Sequence, residues 1–191
     1  MLQNRFEVPM IGVIEPGVRA ALAVTRNKKI GVIGTVGTIA SGAYERMILA
    51  QDPECAVFEV PCPLFVPLAE EGWIEGPVVE QVAHIYLDPL QGTGIDTLIL
   101  GCTHYPLLKP AIGRILGPEV NLVDTAEETV SLVRQQLERL GLLRAEESDG
   151  RRKFFVSDIP AQFSQVGGRF LGHPIDEVEW VDQSEMPWYE R

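Results

Sequence analysis

Asp96-Thr97-Leu98-Ile99-Leu100-Gly101-Cys102-Thr103-His104-Tyr105-Pro106 is a short apolar run that stops at a glycine, crosses a polar turn and reaches a proline that opens a helical pattern. Four to eight apolar residues bounded by turn residues fit a buried strand. Proline suits the first turn of a helix, because the N–H it lacks would be unpaired there anyway. The stretch therefore reads as strand, turn, helix.

Working outward, the same alternation recurs along the chain. Strands are expected over residues 9–14, 29–33, 55–60, 96–100, 120–123, 153–156 and 175–181. Helices are expected over 17–25, 38–51, 77–91, 106–116, 126–140 and 160–171. Residues 1–6 read as the tail of a helix, and residues 146–152, with Asp149-Gly150, read as an exposed charged loop. Strands alternating with helices need crossovers, which build mainly parallel sheets flanked by helices on both faces, so the fold class is α/β. Ligands in such sheets bind beyond the C-terminal strand ends, where the Cys102 turn falls.

Composition narrows the function classes. The 191 residues are 46% hydrophobic and 23% charged, the balance of a packed globular protein. A net charge of −11 argues against nucleic acid as a partner, since phosphate binding needs a concentrated basic surface. Arg26-Asn27-Lys28-Lys29 and Arg151-Arg152-Lys153 are too short to change that. No apolar stretch approaches the roughly 20 residues of a membrane span. The three cysteines, Cys55, Cys62 and Cys102, form neither a CxxC pair nor an even disulfide set, which suits reduced thiols in a cytoplasmic protein. No zinc-ligand spacing is present.

Free amides at a helix start, with the positive end of its dipole, favour a thiolate or a substrate carboxylate at the Cys102 turn. They are expected to lower the thiol pKa from its free value of about 8.5. His104, two residues on, is placed to exchange a proton with that thiol or orient it. The plain alternative is a buried structural cysteine. Thr103 adds a hydroxyl to the same edge. Thr35 and Thr38, in the turn Gly34-Thr35-Val36-Gly37-Thr38, offer hydroxyls to an anion, with helix capping by Thr38 as the competing reading. Ser41 and Tyr44, one and two helical turns along, are candidates to support that loop, with core or capping work the plainer reading for each. Glu70 follows Phe65-Val66-Pro67-Leu68, which would partly dehydrate its carboxylate and raise its pKa. Glu71 is its neighbouring competitor. Cys62 reads as packing, and His84 and His173 as surface residues.

Residues 100–108, Leu-Gly-Cys-Thr-His-Tyr-Pro-Leu-Leu, resemble the second catalytic-cysteine motif of the glutamate racemases within the aspartate/glutamate racemase superfamily. Residues 11–17, 33–41, 62–70 and 156–160 resemble successive segments of that family in the same order. The resemblance covers nearly the whole chain.

The resemblance implies two facing α/β domains, with residues 16–120 as a nearly complete second domain and residues 1–15 and 121–191 as the remnant of a truncated first. Apolar surface is then expected to show on the helices over 126–140 and 160–171. It implies cofactor-independent and metal-independent interconversion of L- and D-glutamate by two thiols on opposite faces of the substrate, supplying D-glutamate for peptidoglycan. Cys102 would be one of those thiols, tuned by Glu70 and assisted by His104, while Thr103, Thr35 and Thr38 bind substrate. Glutamate is the implied partner, with a homodimer as the candidate assembly and no nucleic acid or membrane. The family's Cys-Asn-Thr motif, which holds the other thiol, does not occur in the sequence, so this chain is expected to be inactive alone. A binding module for an anionic ligand or partner, derived from the same fold, is the alternative reading, and a sister racemase for aspartate a third.

Overall fold

The computed structural model describes residues 8–144 and 150–183; the expected helix tail over residues 1–6 and most of the expected loop over 146–152 lie outside them. The chain separates into two compact units, residues 1–69 with 73–143, and residues 70–72 with 144–191.

The larger unit runs α1 (Ile14–Val24), β1 (Lys29–Gly34), α2 (Val36–Ala40), α3 (Ala43–Gln51), β2 (Ala56–Pro61), α4 (Phe65–Glu70), α5 (Pro77–Gln91), β3 (Thr97–Leu100), a 3-10 turn (Tyr105–Leu108), α6 (Lys109–Leu116), β4 (Asn121–Asp124) and α7 (Thr125–Arg139). Its sheet has the order β2-β1-β3-β4, and every neighbouring pair is parallel. Period-2 alternation sorts the strand residues between two cores. Ile33, Leu98 and Leu100 pack with Phe65 of α4, Val79 and Leu87 of α5 and Ile112 of α6. Ile30, Val32, Ile99 and Val123 pack on the other face with Val18 of α1 and Tyr44 and Ile48 of α3. Each fully buried aliphatic side chain contributes about 1.5–3 kcal/mol relative to leaving it in water.

The middle strands and α5 fall where the periodicity puts them, and three departures have local causes. Residues 9–14 form no strand: they lie outside any ladder and are mostly exposed, and an apolar run becomes a strand only beside a partner. Instead α1 starts at Ile14, with Glu15 and Pro16 in its first turn, where an acid and a proline are favoured. The expected helix over 38–51 is two helices, because Gly42 takes a left-handed φ of 58° between them. The expected helix over 106–116 starts as a 3-10 turn: Pro110 has no N–H for the Pro106 carbonyl, which receives the Lys109 amide instead. Helix α4 was absent from the expected elements.

The larger unit continues past residue 120, because β4 is hydrogen-bonded to β3 and α7 packs on α1. Asp124 caps α7 by accepting from the amides of Ala126 and Glu127.

In the smaller unit β5 (Phe154–Val156) and β6 (Val178–Trp180) pair in parallel and are joined through α8 (Pro160–Leu171). The expected strand over 175–181 shortens to three residues. Phe154 and Phe163 stack at 5.9 Å, and Ile175 seats over Gly167, but no residue of α8 is buried. Phe155, Phe163, Phe170, Leu171 and Trp180 expose apolar surface, as do Val130 and Leu140 at α7, which agrees with the expectation for both helices. Two short strands and one helix offer too little area to bury more.

Candidate active site

The site begins where the sheet changes direction of winding. After β1 the chain turns to α2 and α3, on the face of Ile30 and Val32; after β3 it turns to α6, on the face of Leu98 and Leu100. Loops that leave adjacent strands on opposite faces open a crevice between them, the ligand position of doubly wound sheets. Ile33 pairs in register with Leu100, so the turn at Thr35 and the turn at Cys102 begin side by side. The Gly101 amide donates to the Ile33 carbonyl at 2.8 Å. A side chain at Gly101 would lie 2.8 Å from that oxygen and 3.1 Å from the Tyr44 ring, so the turn requires glycine by close approach.

Cys102 is partly buried, with its sulfur 4.0 Å from His104 Nδ1. The Thr103 hydroxyl lies 3.3 Å from the same ring nitrogen, so the imidazole is shared between thiol and hydroxyl. Burial pushes the thiol pKa up, and the amides of His104 and Tyr105 pull it back only in part. The expected net lowering is therefore corrected: desolvation outweighs the amides, which come from an irregular turn and a 3-10 start rather than from a full α-helical N-terminus. The thiol is stored protonated and has hydrogen-bond donors beside it for the moment it ionises.

Thr35, not Thr38, is the helix cap here. Its hydroxyl accepts from the Thr38 amide at 3.3 Å, and the two hydroxyls lie 2.9 Å apart. Two partly buried hydroxyls thus face each other at the end of β1, and Ser41 closes the same short helix by donating to the Thr38 carbonyl. Glu70 ends α4 and is partly buried.

The other thiols stand in different surroundings. Cys62 is 0% exposed, and burial holds its pKa up at about 12. Its carbonyl receives the Tyr105 hydroxyl at 2.9 Å, which ties the turn after β2 to the Cys102 turn. Cys55 precedes β2, at the opposite end of the sheet, and is 7% exposed. His84 pairs with Asp88 on the exposed side of α5, and His173 sits against the Pro174 carbonyl. Among the described residues no group of three His, Cys, Asp or Glu side chains could hold a metal ion, and no helix is long and apolar enough to cross a membrane.

Sequence reasoning missed the polar frame behind the turn. Thr125 donates to the Leu100 carbonyl at 3.1 Å, and Lys109 bridges Asp124 and Glu127 at 2.8 and 3.1 Å. Burial lowers the Lys109 pKa, but the two carboxylates outweigh it and hold the ammonium charged. The available signal was Asp124-Thr125-Ala126-Glu127, a capping-box spacing that fixes where β4 ends.

A partly buried thiol beside an imidazole, at the switch point of a parallel sheet, defines an α/β protein equipped for cysteine acid–base or nucleophilic chemistry. The family model described as Asp/Glu/hydantoin racemase matches residues 1–133. A glutamate racemase of Geobacter metallireducens is 52% identical over 180 residues, covering 94% of this chain and 67% of that protein. Among solved structures, glutamate racemase RacE1 of Bacillus anthracis superposes with a TM-score of 0.88 at 40% identity, over 95% of this chain and 67% of that one. The glutamate racemase of Francisella tularensis in complex with D-glutamate gives 0.87 at 36% identity, over 96% and 68%. The chain belongs to the Asp/Glu/hydantoin racemase family. It spans about two thirds of the length of these relatives.

Proposed function

We propose that this chain carries one half of a cofactor-independent glutamate racemase site, with Cys102 as the acid–base group for one face of the substrate. The observation that carries this reading is the partly exposed Cys102 thiol beside His104 at the switch point, on the stretch that resembles the racemase motif. The D-glutamate named with the Francisella tularensis relative supports glutamate as the ligand.

In this mechanism Cys102, as thiolate, takes the α-proton of L-glutamate and becomes a thiol. A second thiol on the far face gives a proton to the carbanion, which produces D-glutamate. In the reverse direction Cys102, as thiol, donates. His104 orients the sulfur and receives its proton. Thr103, Thr35 and Thr38 donate to substrate oxygens, and Glu70 tunes the thiol. Residues 16–120 supply one of two facing domains. D-glutamate then enters peptidoglycan synthesis in the cytoplasm, and a homodimer is the assembly proposed.

Neither remaining cysteine suits the far face: Cys62 is sealed and Cys55 stands at the wrong end of the sheet. Residues 1–191 alone are therefore expected not to interconvert glutamate enantiomers, and circular dichroism of either enantiomer should stay constant. Measurable racemisation by this chain would return Cys62 or Cys55 to candidacy. The second arm fuses the chain to the remaining third of the Geobacter metallireducens relative. There Cys102→Ser should lower racemisation from L-glutamate by about 10²–10⁴-fold, the range of a lost acid–base group. An unchanged rate would remove Cys102 from the chemistry.

A further inference from the structure

We propose that Tyr105 is a positioning residue for Cys102: its buried hydroxyl, bonded to the Cys62 carbonyl, closes a brace across the ends of β1, β2 and β3 that keeps the thiol seated against the core. The proposal rests on the reading of Cys102 as the working thiol.

The brace is a closed circuit of hydrogen bonds. The last two residues of β1 each receive a neighbouring turn: the Ile33 carbonyl takes the Gly101 amide at 2.8 Å, and the Gly34 carbonyl takes the Cys62 amide at 2.8 Å. Those two bonds alone would hold the turn after β2 and the turn after β3 separately. The Tyr105 hydroxyl joins them by donating its one proton to the Cys62 carbonyl at 2.9 Å. The Tyr105 amide leads back to Cys102 by donating to its carbonyl at 3.2 Å. Cys102 therefore stands between a backbone bond at Gly101 and a side-chain anchor three residues on.

Packing holds the phenol in this position. Tyr105 is fully buried, and Phe65 meets its ring edge-on at 5.3 Å and 89°. Bulk water has no access to replace the hydroxyl, and without it the Cys62 carbonyl would keep only the Phe65 amide, at 3.2 Å. Burial pushes the phenol pKa up, so the group stays a donor. The titratable groups facing the phenol include Cys62 from the turn after β2, Tyr86 from α5 and Cys102 from its own turn, and those facing the sulfur include His104 and Tyr44 of α3.

What the brace controls is how far the sulfur is withdrawn from water. Cys102 packs against the same apolar cluster that contains Tyr105, and desolvation is the main cause of its raised pKa. If the anchor is lost, residues 103–105 keep only bonds within their own turn, and the sulfur gains water. The thiol then ionises more readily.

The test follows alkylation of Cys102 by iodoacetamide against pH in the 191-residue chain, with the modified peptide identified by mass. Tyr105→Phe keeps the ring and removes the anchor, so it should lower the midpoint and speed alkylation at pH 8 by about 3–10-fold, as thiolate is the reacting form. Tyr86→Phe controls for general loosening: the Tyr86 hydroxyl accepts from the Leu64 amide at 3.3 Å, in the same turn after β2, yet lies outside the circuit. Its midpoint should equal that of the wild type. An unchanged or raised midpoint in folded Tyr105→Phe overturns the brace, and so does an equal shift in Tyr86→Phe. Amide hydrogen exchange in the wild-type chain decides the matter even if Tyr105→Phe does not fold. The amides of Gly101, Cys62 and Tyr105 should be protected to within about tenfold of one another, as members of one opening unit. A Tyr105 amide that exchanges far faster than the other two overturns the brace. A wild-type Cys102 that resists alkylation in the native chain at any pH refutes instead the reading of Cys102 as the working thiol.

Discussion

The two ends of the four-stranded sheet carry polar groups of opposite design. At the N-terminal end Asp96, 7% exposed, accepts from the Thr25 hydroxyl at 2.7 Å, the Arg26 amide at 2.6 Å, the Asn27 amide at 2.9 Å and the Thr97 hydroxyl at 2.9 Å. At the C-terminal end Cys102 touches His104 only at 4.0 Å and is partly open to solvent. A saturated carboxylate has no lone pair left for a ligand and serves the fold; an under-saturated thiol keeps capacity for one. Stability and chemistry are thus separated along the strand axis, in the manner of other α/β proteins whose ligands bind beyond the strand C-termini.

Removing the saturated group should cost the most stability. Asp96→Ala strands several buried donors and should lower the unfolding free energy by about 2–4 kcal/mol in urea titrations, while leaving the alkylation midpoint of Cys102 in place. A shift of that midpoint in the folded variant would show that the two ends are coupled. Gly101→Ala acts at the other end, where its Cβ has no room beside the Ile33 carbonyl. It should cost about 1–3 kcal/mol and, unlike Asp96→Ala, also move the Cys102 midpoint.

Acid and alkali should separate the ends as well. Burial opposes the charge on Asp96, but its hydroxyl and amide donors win and hold its pKa below the ordinary carboxylate value. Its folded value being depressed, its stabilising share is present above the unfolded pKa of about 3.9 and is lost as pH falls through the folded value. Cys102 has the opposite sign, since burial raises its folded pKa. Its share is complete below the unfolded thiol value of about 8.5 and is lost as pH rises through the folded one. Stability measured against pH should therefore lose its acid slope in Asp96→Asn and part of its alkaline slope in Cys102→Ala. The smallest effect belongs to neither end: Arg114→Ala breaks an exposed pair with Glu80 on the helical layer and should change stability by less than about 1 kcal/mol.

Strand and helix alternation made the larger unit legible, because its two central strands are buried on both faces and stand out as apolar runs. The Cys102 turn was legible for the same reason, as a polar interruption between an apolar strand and a proline. Residues 9–14 misled because an apolar β-branched run does not state whether a partner strand lies beside it. The pKa of Cys102 was misjudged because spacing reveals the amides but not the desolvation that competes with them. Thr125 stayed hidden for a different reason: it opens a helix where a packing role is sufficient, and only the folded chain brings its hydroxyl to the Leu100 carbonyl.

The most direct test is a race among the three thiols in the native chain, read by mass after brief exposure to iodoacetamide near pH 8. Cys102 should be modified first, with Cys62 and Cys55 protected until the chain unfolds. Modification of Cys62 or Cys55 ahead of Cys102 would contradict the assignment of the reactive thiol to the C-terminal end of β3.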